Sequence, residues 1–322
     1  MWARGIENEM DRGVFVNRAE AESTTLGEAL TRYEREVSAT KKGYEQEKRR
    51  ISFWQSHPLA RRTLATLRPS DFAGYKNARL AAGTAASTIR NDLAIVSHMF
   101  TICLKEWGIP VQNHIKQIRL PRAPNARTRR LVHDEYERIE RSFDSAEKTG
   151  GGTRTNIWIC PAFSLSVETA ARRSELLRLK WKDVDLLGQV AKLRKTKNGD
   201  EERDVPLSLA AVAVLRALPR SANGKVINTT ASAVDQSWRR CLARARRTYE
   251  LELIADGKSQ AEIDDDKLLI DLTWHDLRHE ATSRLAEKLQ MHELMKVTGH
   301  CDSKMLARYY HPRATDLAKK LG

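Results

Sequence analysis

Six side chains in the C-terminal half of the chain have the chemistry needed to cleave a phosphodiester. They are Arg172, Lys197, His275, Arg278, His300 and Tyr309. Paired arginines can neutralise the nonbridging oxygens, where the transition state gathers negative charge, and fixed cations do so without solvent reorganisation. A phenol can act as the nucleophile while histidine and lysine transfer protons. The set therefore predicts strand cleavage through a covalent intermediate.

The spacing of these residues favours a shared site. His275 and Arg278 are three positions apart, so they lie on one face of a predicted helix. Arg172 is predicted to lie on a helix whose buried side carries leucines, and Tyr309 follows His300 by nine positions. Each residue alone would be ordinary, since most arginines on helices are solvated and most tyrosines pack in a core. Their joint occurrence in this order is what indicates function.

Charge indicates the class of partner. The chain has 322 residues, enough for two domains, and a formal net charge of +14. Residues 24–131 contain 20 Lys and Arg against 8 Asp and Glu, so this segment contributes +12 of the total. Such an asymmetry favours a polyanionic partner. Aromatic residues are only 6% of the chain and are not interleaved with the basic ones, which favours double-stranded DNA over single strands stacked on aromatic rings.

Cysteine and hydropathy patterns exclude other classes of protein. The four cysteines are far apart and form no CxxC pair, so the sequence predicts neither a zinc site nor a disulfide framework. No apolar run approaches the roughly 20 residues of a membrane span. The N-terminus lacks the basic-then-apolar order of a secretory signal. We therefore expect a cytoplasmic, nucleoid-associated protein with no membrane partner.

The chain is predicted to be mainly α with a small β-sheet, an α+β organisation. We expect an N-terminal remnant or linker, a helical core DNA-binding domain, a basic interdomain linker and a catalytic domain, at residues 1–23, 24–112, 113–131 and 132–322. The linker is rich in proline and arginine and could lie along phosphates. Its arginines are Arg119, Arg122, Arg127, Arg129 and Arg130.

Helices and strands follow from periodicity and caps. Thr24 or Thr25 can cap a first helix, with Glu28 near the capping-box position, and three more helical patterns follow through Ile51, Ser70 and Ser87. The later elements are helices over Leu131–Ser145 and Pro161–Leu179 and strands over Gln189–Leu193 and Asp204–Leu207. The turn KTKNGDEE between the strands contains Asn198-Gly199, a hairpin signal. The acidic stretch 248–271 is predicted to be a helical excursion on the surface.

Three blocks of sequence resemble the tyrosine recombinase, or phage integrase, family. The first family motif reads roughly TGxRxSELxxLxWxDID, and eight positions fall on it: Thr169, Arg172, Ser174, Glu175, Leu176, Leu179, Trp181 and Asp183. Ala170 stands where glycine is usual. The block WHDLRH resembles the family's HxLRH box, and VTGHCDSKMLARYYHP resembles its LGHxxxxxTxxYxH ending. The resemblance covers residues 24–322 and is weak in the N-terminal helices, where only helix pattern and charge match.

The resemblance implies roles for the six residues. Arg172 and Arg278 would clamp the nonbridging phosphate oxygens and His300 would hydrogen-bond the phosphate. The fold implied is a core-binding domain joined to a tyrosine-recombinase catalytic domain. The partners implied are duplex DNA, a homotetramer assembled on that DNA and an accessory DNA-bending protein, with no cofactor and no metal.

Proton transfer and attack would fall to the remaining members of the set. His275 would exchange a proton with the nucleophile Tyr309, and Lys197 would protonate the departing 5′ oxygen. Tyr310 is a competing nucleophile and Lys195 competes with Lys197. The implied reaction is DNA strand breakage and rejoining through a 3′-phosphotyrosyl intermediate, for integration or excision of a mobile element.

Several alternatives stay open from the sequence. His275, His279 and His300 could instead bind a metal, although no glutamate follows His275 as in HExxH and Arg278 would repel a cation. A type IB topoisomerase would use similar chemistry. A regulator with a degenerate site would bind DNA without cleaving it, and a metal-dependent nuclease would be abolished by EDTA.

Overall fold

The computed structural model describes residues 18–122, 127, 129–148, 156–194 and 202–309. The chain divides into two compact units, residues 1–126 and residues 127–322. Each has a hydrophobic core of its own. Among the described residues, no helix is long and apolar enough to cross a membrane.

The described part of the first unit is helical. Its α-helices are α1 (Ala19–Ser23), α2 (Leu26–Glu36), α3 (Tyr44–Ser56), α4 (Pro69–Ala81) and α5 (Ala86–Lys105). Thr25 and Glu28 form the predicted capping box of α2. The core is built from the apolar faces of α2 to α5, with Trp54, Phe72 and Phe100 fully buried. The four helical patterns of the sequence are confirmed.

The stretch predicted to be an interdomain linker is held at both ends. Ile115 is buried in the core of the first unit. Arg90 donates to the Pro121 carbonyl at 2.9 Å. The arginines beyond Ala126 pair with carboxylates of the second unit, as described below. Assignment of 113–131 as a linker therefore remains a prediction, with its first half packed on the first unit.

The second unit contains helices and one small sheet. Its described helices are α6 (Glu135–Lys148), α7 (Ile159–Thr169), α8 (Arg173–Leu176), α9 (Leu209–Ala217), α10 (Ala231–Ala255), α11 (Gln260–Asp265), α12 (Trp274–Ala286), α13 (Met291–Thr298) and α14 (Ser303–Ala307). The strands are β1 (Val184–Asp185), β2 (Val190–Leu193) and β3 (Arg203–Pro206). They form an antiparallel sheet in the order β1-β2-β3, in which Leu193 is opposite Arg203. The mainly α fold with a small sheet is confirmed, as are the two predicted strands.

Two predicted helices differ from those of the structure. α6 begins at Glu135 rather than Leu131, because the buried Glu135 carboxylate accepts the Val132 N–H at 2.9 Å and closes the preceding turn. The predicted helix over Pro161–Leu179 is interrupted. Ala170 has φ of 52° and ψ of 19°, a left-handed conformation that ends α7. Glycine adopts it without steric cost, which explains the glycine usual in the related motif.

The acidic stretch 248–271 continues α10 and then forms α11. Arg246 holds it through hydrogen bonds to the Ile263 carbonyl at 2.6 Å, the Leu268 carbonyl at 2.9 Å and the Asp266 carboxylate at 2.9 Å. The helical excursion is confirmed.

Candidate active site

Arg278 is a buried cation whose short hydrogen bonds in the described structure go to backbone carbonyls. It lies on α12, whose first turn is capped by Thr273 and Asp276, and only 4% of its surface is exposed. Its guanidinium donates to the Ala170 carbonyl at 2.5 Å and to the Thr298 carbonyl at 2.6 Å. Burial, aided by the nearby Arg172 charge, lowers its pKa to about 10. Within the described ranges no carboxylate is in ion-pair distance of this guanidinium, and Glu175 favours its charge only from farther away.

Arg172 approaches the same place from another element. It is the N-cap of α8 in an extended conformation, not a residue within a helix as predicted. Its N–H and guanidinium donate to the Glu175 carboxylate at 2.7 and 3.0 Å. The guanidinium also lies 3.5 Å from the Gly299 carbonyl. Arg172 and Arg278 thus contact the consecutive carbonyls of Gly299 and Thr298, which places both cations at one spot.

Arg203 fixes the carboxylate that orients Arg172. This residue, at the start of β3, donates two parallel hydrogen bonds to Glu175 at 2.9 and 2.7 Å and a third to the Val297 carbonyl at 2.9 Å. The Glu175 side chain is 1% exposed. Burial alone would raise the Glu175 pKa, but Arg203 and Arg172 together hold it below its ordinary value. From the sequence, Arg203 has no assigned role in the site.

Gly299 is required where α13 ends. Its φ is 69°, in the left-handed region that favours glycine. A side chain would also have no room, since a Cβ at this position would lie 2.9 Å from an Arg203 guanidinium nitrogen. Glycine therefore lets Arg203 pass beneath the turn and sets the direction in which His300 leaves the helix.

The hydrogen bonds of His300 define its tautomer. The Thr298 hydroxyl donates its proton to the Leu294 carbonyl at 2.6 Å. Nδ1 of His300 lies 2.7 Å from that hydroxyl oxygen, so Nδ1 carries the proton and donates. Nε2 then carries a lone pair and no proton, and it lies 3.5 Å from the Arg278 guanidinium. Burial, followed by the charges of Arg278 and Arg172, lowers the His300 pKa to about 4, so the ring is neutral at pH 7.

Tyr309 lies after α14, with its phenol hydrogen-bonded to His279 Nδ1. The two rings stack at 5.5 Å and 28°. Burial raises the Tyr309 pKa, so the hydroxyl is protonated at neutral pH. From the sequence, His279 is named only as a candidate metal ligand and is given no contact with the nucleophile. The contact with Tyr309 spans 30 positions, and spacing within one helix carries no sign of it.

His275 reaches the phenol only through His279. Its ring is exposed and makes an edge contact with the His279 ring at 4.9 Å. Loss of hydration on its inner side, with the Arg278 charge, lowers its pKa. Among the described contacts it has no hydrogen bond to Tyr309. Lys195, Lys197 and Tyr310 lie outside the described residues, and within those residues no group of three metal-ligating side chains could hold a metal ion.

Comparison with known proteins bears on this arrangement. The model of the phage integrase family matches residues 129–316. The shufflon-specific DNA recombinase of Escherichia coli is 35% identical over 306 residues, covering 92% of this chain and 71% of that protein. The chain belongs to the phage integrase family. It is a tyrosine-type DNA recombinase, as the three sequence blocks predicted.

Solved structures show the same fold. The Tn1549 transposon integrase (aa 82–397) in complex with circular intermediate DNA matches with a TM-score of 0.69 and 17% identity, over 93% of this chain and 100% of that one. A lambda integrase tetramer bound to a Holliday junction matches with a TM-score of 0.68 and 19% identity, over 97% of this chain and 86% of that one. The recombinase thus shares its fold with integrases seen on DNA.

Three arginines predicted to lie along phosphates are paired with carboxylates of the recombinase's second unit. Arg127 binds both oxygens of the fully buried Asp276 at 2.6 and 2.8 Å. The other two pairs are Arg129 with Glu135 and Arg130 with Glu280. Asp276 caps α12 between His275 and Arg278. Arg127 therefore supports the helix that carries the buried cation.

We expect Arg127→Met to destabilise the second unit by about 1–3 kcal/mol, because the buried Asp276 carboxylate keeps only its two Thr273 partners. Urea unfolding at pH 7 measures this loss. The Asp276 pKa is lowered, since Arg127 and Thr273 together outweigh the effect of burial. The pair therefore stabilises above the ordinary carboxyl pKa, and the difference from wild type should narrow as pH falls below about 4.

The matched control for this variant is Arg130→Met. Glu280 retains Arg284 at 2.7 Å, so the control should cost less than about 1 kcal/mol. Equal losses in the two variants would contradict the role given to Arg127.

Proposed function

We propose that this recombinase cleaves and rejoins duplex DNA at specific sites through a 3′-phosphotyrosyl bond to Tyr309. The observation that carries the proposal is the buried guanidinium of Arg278, which has no carboxylate ion-pair partner in the described structure. Arg172 lies beside it, because the two guanidinium groups contact the carbonyls of consecutive residues. A desolvated cation without a direct ion-pair partner is costly unless an anion binds. A scissile phosphate supplies that anion, and the two arginines would neutralise its nonbridging oxygens.

The reaction follows from the groups around that phosphate. The phenol oxygen of Tyr309 would form a bond to phosphorus as the bond from phosphorus to the 5′ oxygen breaks. The phenol proton passes to a histidine, and Lys197 would give a proton to the 5′ oxygen. His300 would hydrogen-bond the phosphate. Because one phosphodiester replaces another, rejoining needs no nucleotide cofactor.

The partners follow from the same reaction. The lambda integrase relative forms a tetramer on a Holliday junction and the Tn1549 relative binds circular intermediate DNA. We propose that this chain likewise assembles as a homotetramer on duplex DNA, in the cytoplasm, to integrate or excise a mobile element. An accessory DNA-bending protein remains part of the proposal.

The test is capture of the covalent intermediate. The full chain is incubated with fragmented DNA of its source genome, denatured, and the attached strands are sequenced. We expect protein linked to 3′ ends at one recurrent sequence, with equal yield in EDTA. Adducts at unrelated sequences, with relaxation of supercoils, would favour a topoisomerase. Cleavage lost in EDTA would favour a nuclease.

A second measurement follows from the tautomer of His300. Nε2 carries no proton in the DNA-free protein, so it can donate to a phosphate oxygen only as an imidazolium. Phosphate binding should raise the His300 pKa from about 4, because the anion offsets the charges of Arg278 and Arg172. We expect uptake of up to one proton when captured duplex binds at pH 5.5 to 6. Calorimetry in buffers of different ionisation enthalpy measures it.

The control is His300→Gln, which should bind the duplex without proton uptake at this position. Equal buffer dependence in wild type and variant, or none in wild type, would contradict this account of His300. Tighter binding at pH 5.5 than at pH 7.5 is the accompanying expectation for wild type.

A further inference from the structure

Among the described contacts, His279 is the side chain hydrogen-bonded to the reacting atom of the nucleophile. Its Nδ1 is hydrogen-bonded to the Tyr309 hydroxyl and its ring stacks on the phenol at an angle of 28°. His275, to which the motif assigns proton exchange, makes only an edge contact with His279. The sequence motif and the geometry therefore point to different histidines.

The protonation states suit proton transfer from phenol to imidazole. Burial, followed by the neighbouring His275, lowers the His279 pKa to about 4, so the ring is neutral at pH 7. With the phenol protonated, Tyr309 donates and Nδ1 accepts through its lone pair. The ring nitrogen that faces the nucleophile is thus the one able to take its proton.

Charges around His279 act on its imidazolium form in both directions. Asp276, fully buried one turn earlier on α12, favours the protonated ring. Arg278 and Arg308 oppose it. A bound phosphate would offset the charge of Arg278 and shift this balance toward the imidazolium. Proton transfer to His279 is thereby coupled to binding of the phosphate by Arg172 and Arg278.

We propose that His279 is a catalytic base that accepts the phenol proton as Tyr309 attacks the phosphate. This rests on the proposed function. The proton moves from the Tyr309 oxygen to Nδ1 of His279, the phenol oxygen bonds to phosphorus, and the 5′ oxygen leaves with a proton from the separate acid. In rejoining, the imidazolium returns the proton to the phenol. His275 then acts as a positioning residue that packs against the base.

The test compares the cleavage rates of His279→Phe, His279→Gln and His275→Gln on the captured duplex. The duplex carries a nick beside the cleavage site, so that the cleaved strand cannot be rejoined and the covalent product accumulates. We expect both His279 variants to cleave about 10²- to 10⁴-fold more slowly than wild type. Their rate should rise tenfold per pH unit between pH 7 and 9, because attack then depends on phenolate formed without a base. His275→Gln should lose less and keep the wild-type pH profile.

A duplex with sulfur in place of the 5′ bridging oxygen separates base from acid. The thiolate leaves without a proton, so this substrate should restore cleavage by Lys197→Met and leave His279→Phe slow. Wild-type rates in His279→Phe would overturn the proposal. So would rescue of that variant by the sulfur substrate, or full activity in His279→Gln, which would make His279 a positioning residue.

Nitrogen-15 NMR of histidine in the DNA-free protein provides a readout independent of cleavage. Tyr309→Phe should shift the His279 Nδ1 resonance and leave that of His300 unchanged, whereas an unchanged His279 resonance would contradict the contact. Absence of any adduct with wild type would be a failure of the proposed function. Normal cleavage by His279→Phe would be a failure of this inference alone.

Discussion

Tyr309→Phe should abolish the covalent DNA adduct while leaving DNA binding within about twofold of wild type. The substitution removes one oxygen atom, the proposed nucleophile, so cleavage should fall by a factor on the order of 10⁴ or more. Binding should persist because the arginines, not the phenol, supply the contacts to phosphate. Denaturing gels of end-labelled duplex measure the adduct, and gel shifts at fixed salt measure binding.

The neighbouring tyrosine provides the matched control. Tyr310→Phe should form the adduct at a rate close to that of wild type, and peptide mapping of the wild-type adduct should place the DNA on Tyr309. Adduct retained in Tyr309→Phe and lost in Tyr310→Phe would move the nucleophile by one position. The hydrogen bond between the Tyr309 phenol and His279 is the structural reason for preferring Tyr309.

Part of the phosphate-binding site could be predicted from the sequence, because some of its residues are close together along the chain. The three-residue separation of His275 and Arg278 gave the correct helix, and the capping box of α12 follows from Thr273 and Asp276. Ala170 shows where local reasoning fails. Helical spacing continued through it, yet its left-handed conformation ends α7 and makes Arg172 an N-cap.

Contacts across long stretches of chain were beyond sequence reasoning. His279 meets Tyr309 across 30 positions and Arg203 meets Val297 across 94, and only tertiary packing brings them together. The pairing of the arginines between Arg127 and Arg130 could not be predicted either. Composition predicted cations available to phosphates, but their carboxylate partners lie on α6, on α12 and in the loop just before α12.

Arg203→Met should be the most destabilising substitution considered, costing about 3–5 kcal/mol of unfolding free energy. It leaves the Glu175 carboxylate, 1% exposed, with Arg172 as its remaining cation, and it leaves the Val297 carbonyl without its donor. The Arg203 side chain is itself only 8% exposed, so little solvent screens the lost pair. Urea unfolding at pH 7 measures the loss.

Two comparisons separate this buried pair from an ordinary ion pair. Arg194→Met removes a cation that is 57% exposed beside Asp183, and should cost clearly less than Arg203→Met, because solvent already screens this pair. Glu175→Leu combined with Arg203→Met should be more stable than Arg203→Met alone, because no unpaired charge stays buried. A double variant less stable than the single one would show that packing, not charge, makes Arg203 necessary.

The pH dependence of the stability of Arg203→Met tests whether the unpaired Glu175 carboxylate causes the loss. In wild type the Glu175 pKa is lowered, because the two arginines outweigh burial, so its ionised form stabilises the fold above the ordinary carboxyl pKa. Without Arg203, burial should raise that pKa and the protonated acid becomes the favoured form. The deficit of the variant should therefore shrink as pH falls from 7 toward 4. A deficit that stays constant over this range would mean that Glu175 is not the group left unpaired, and that Arg203 holds the clamp through Val297 and Gly299 instead.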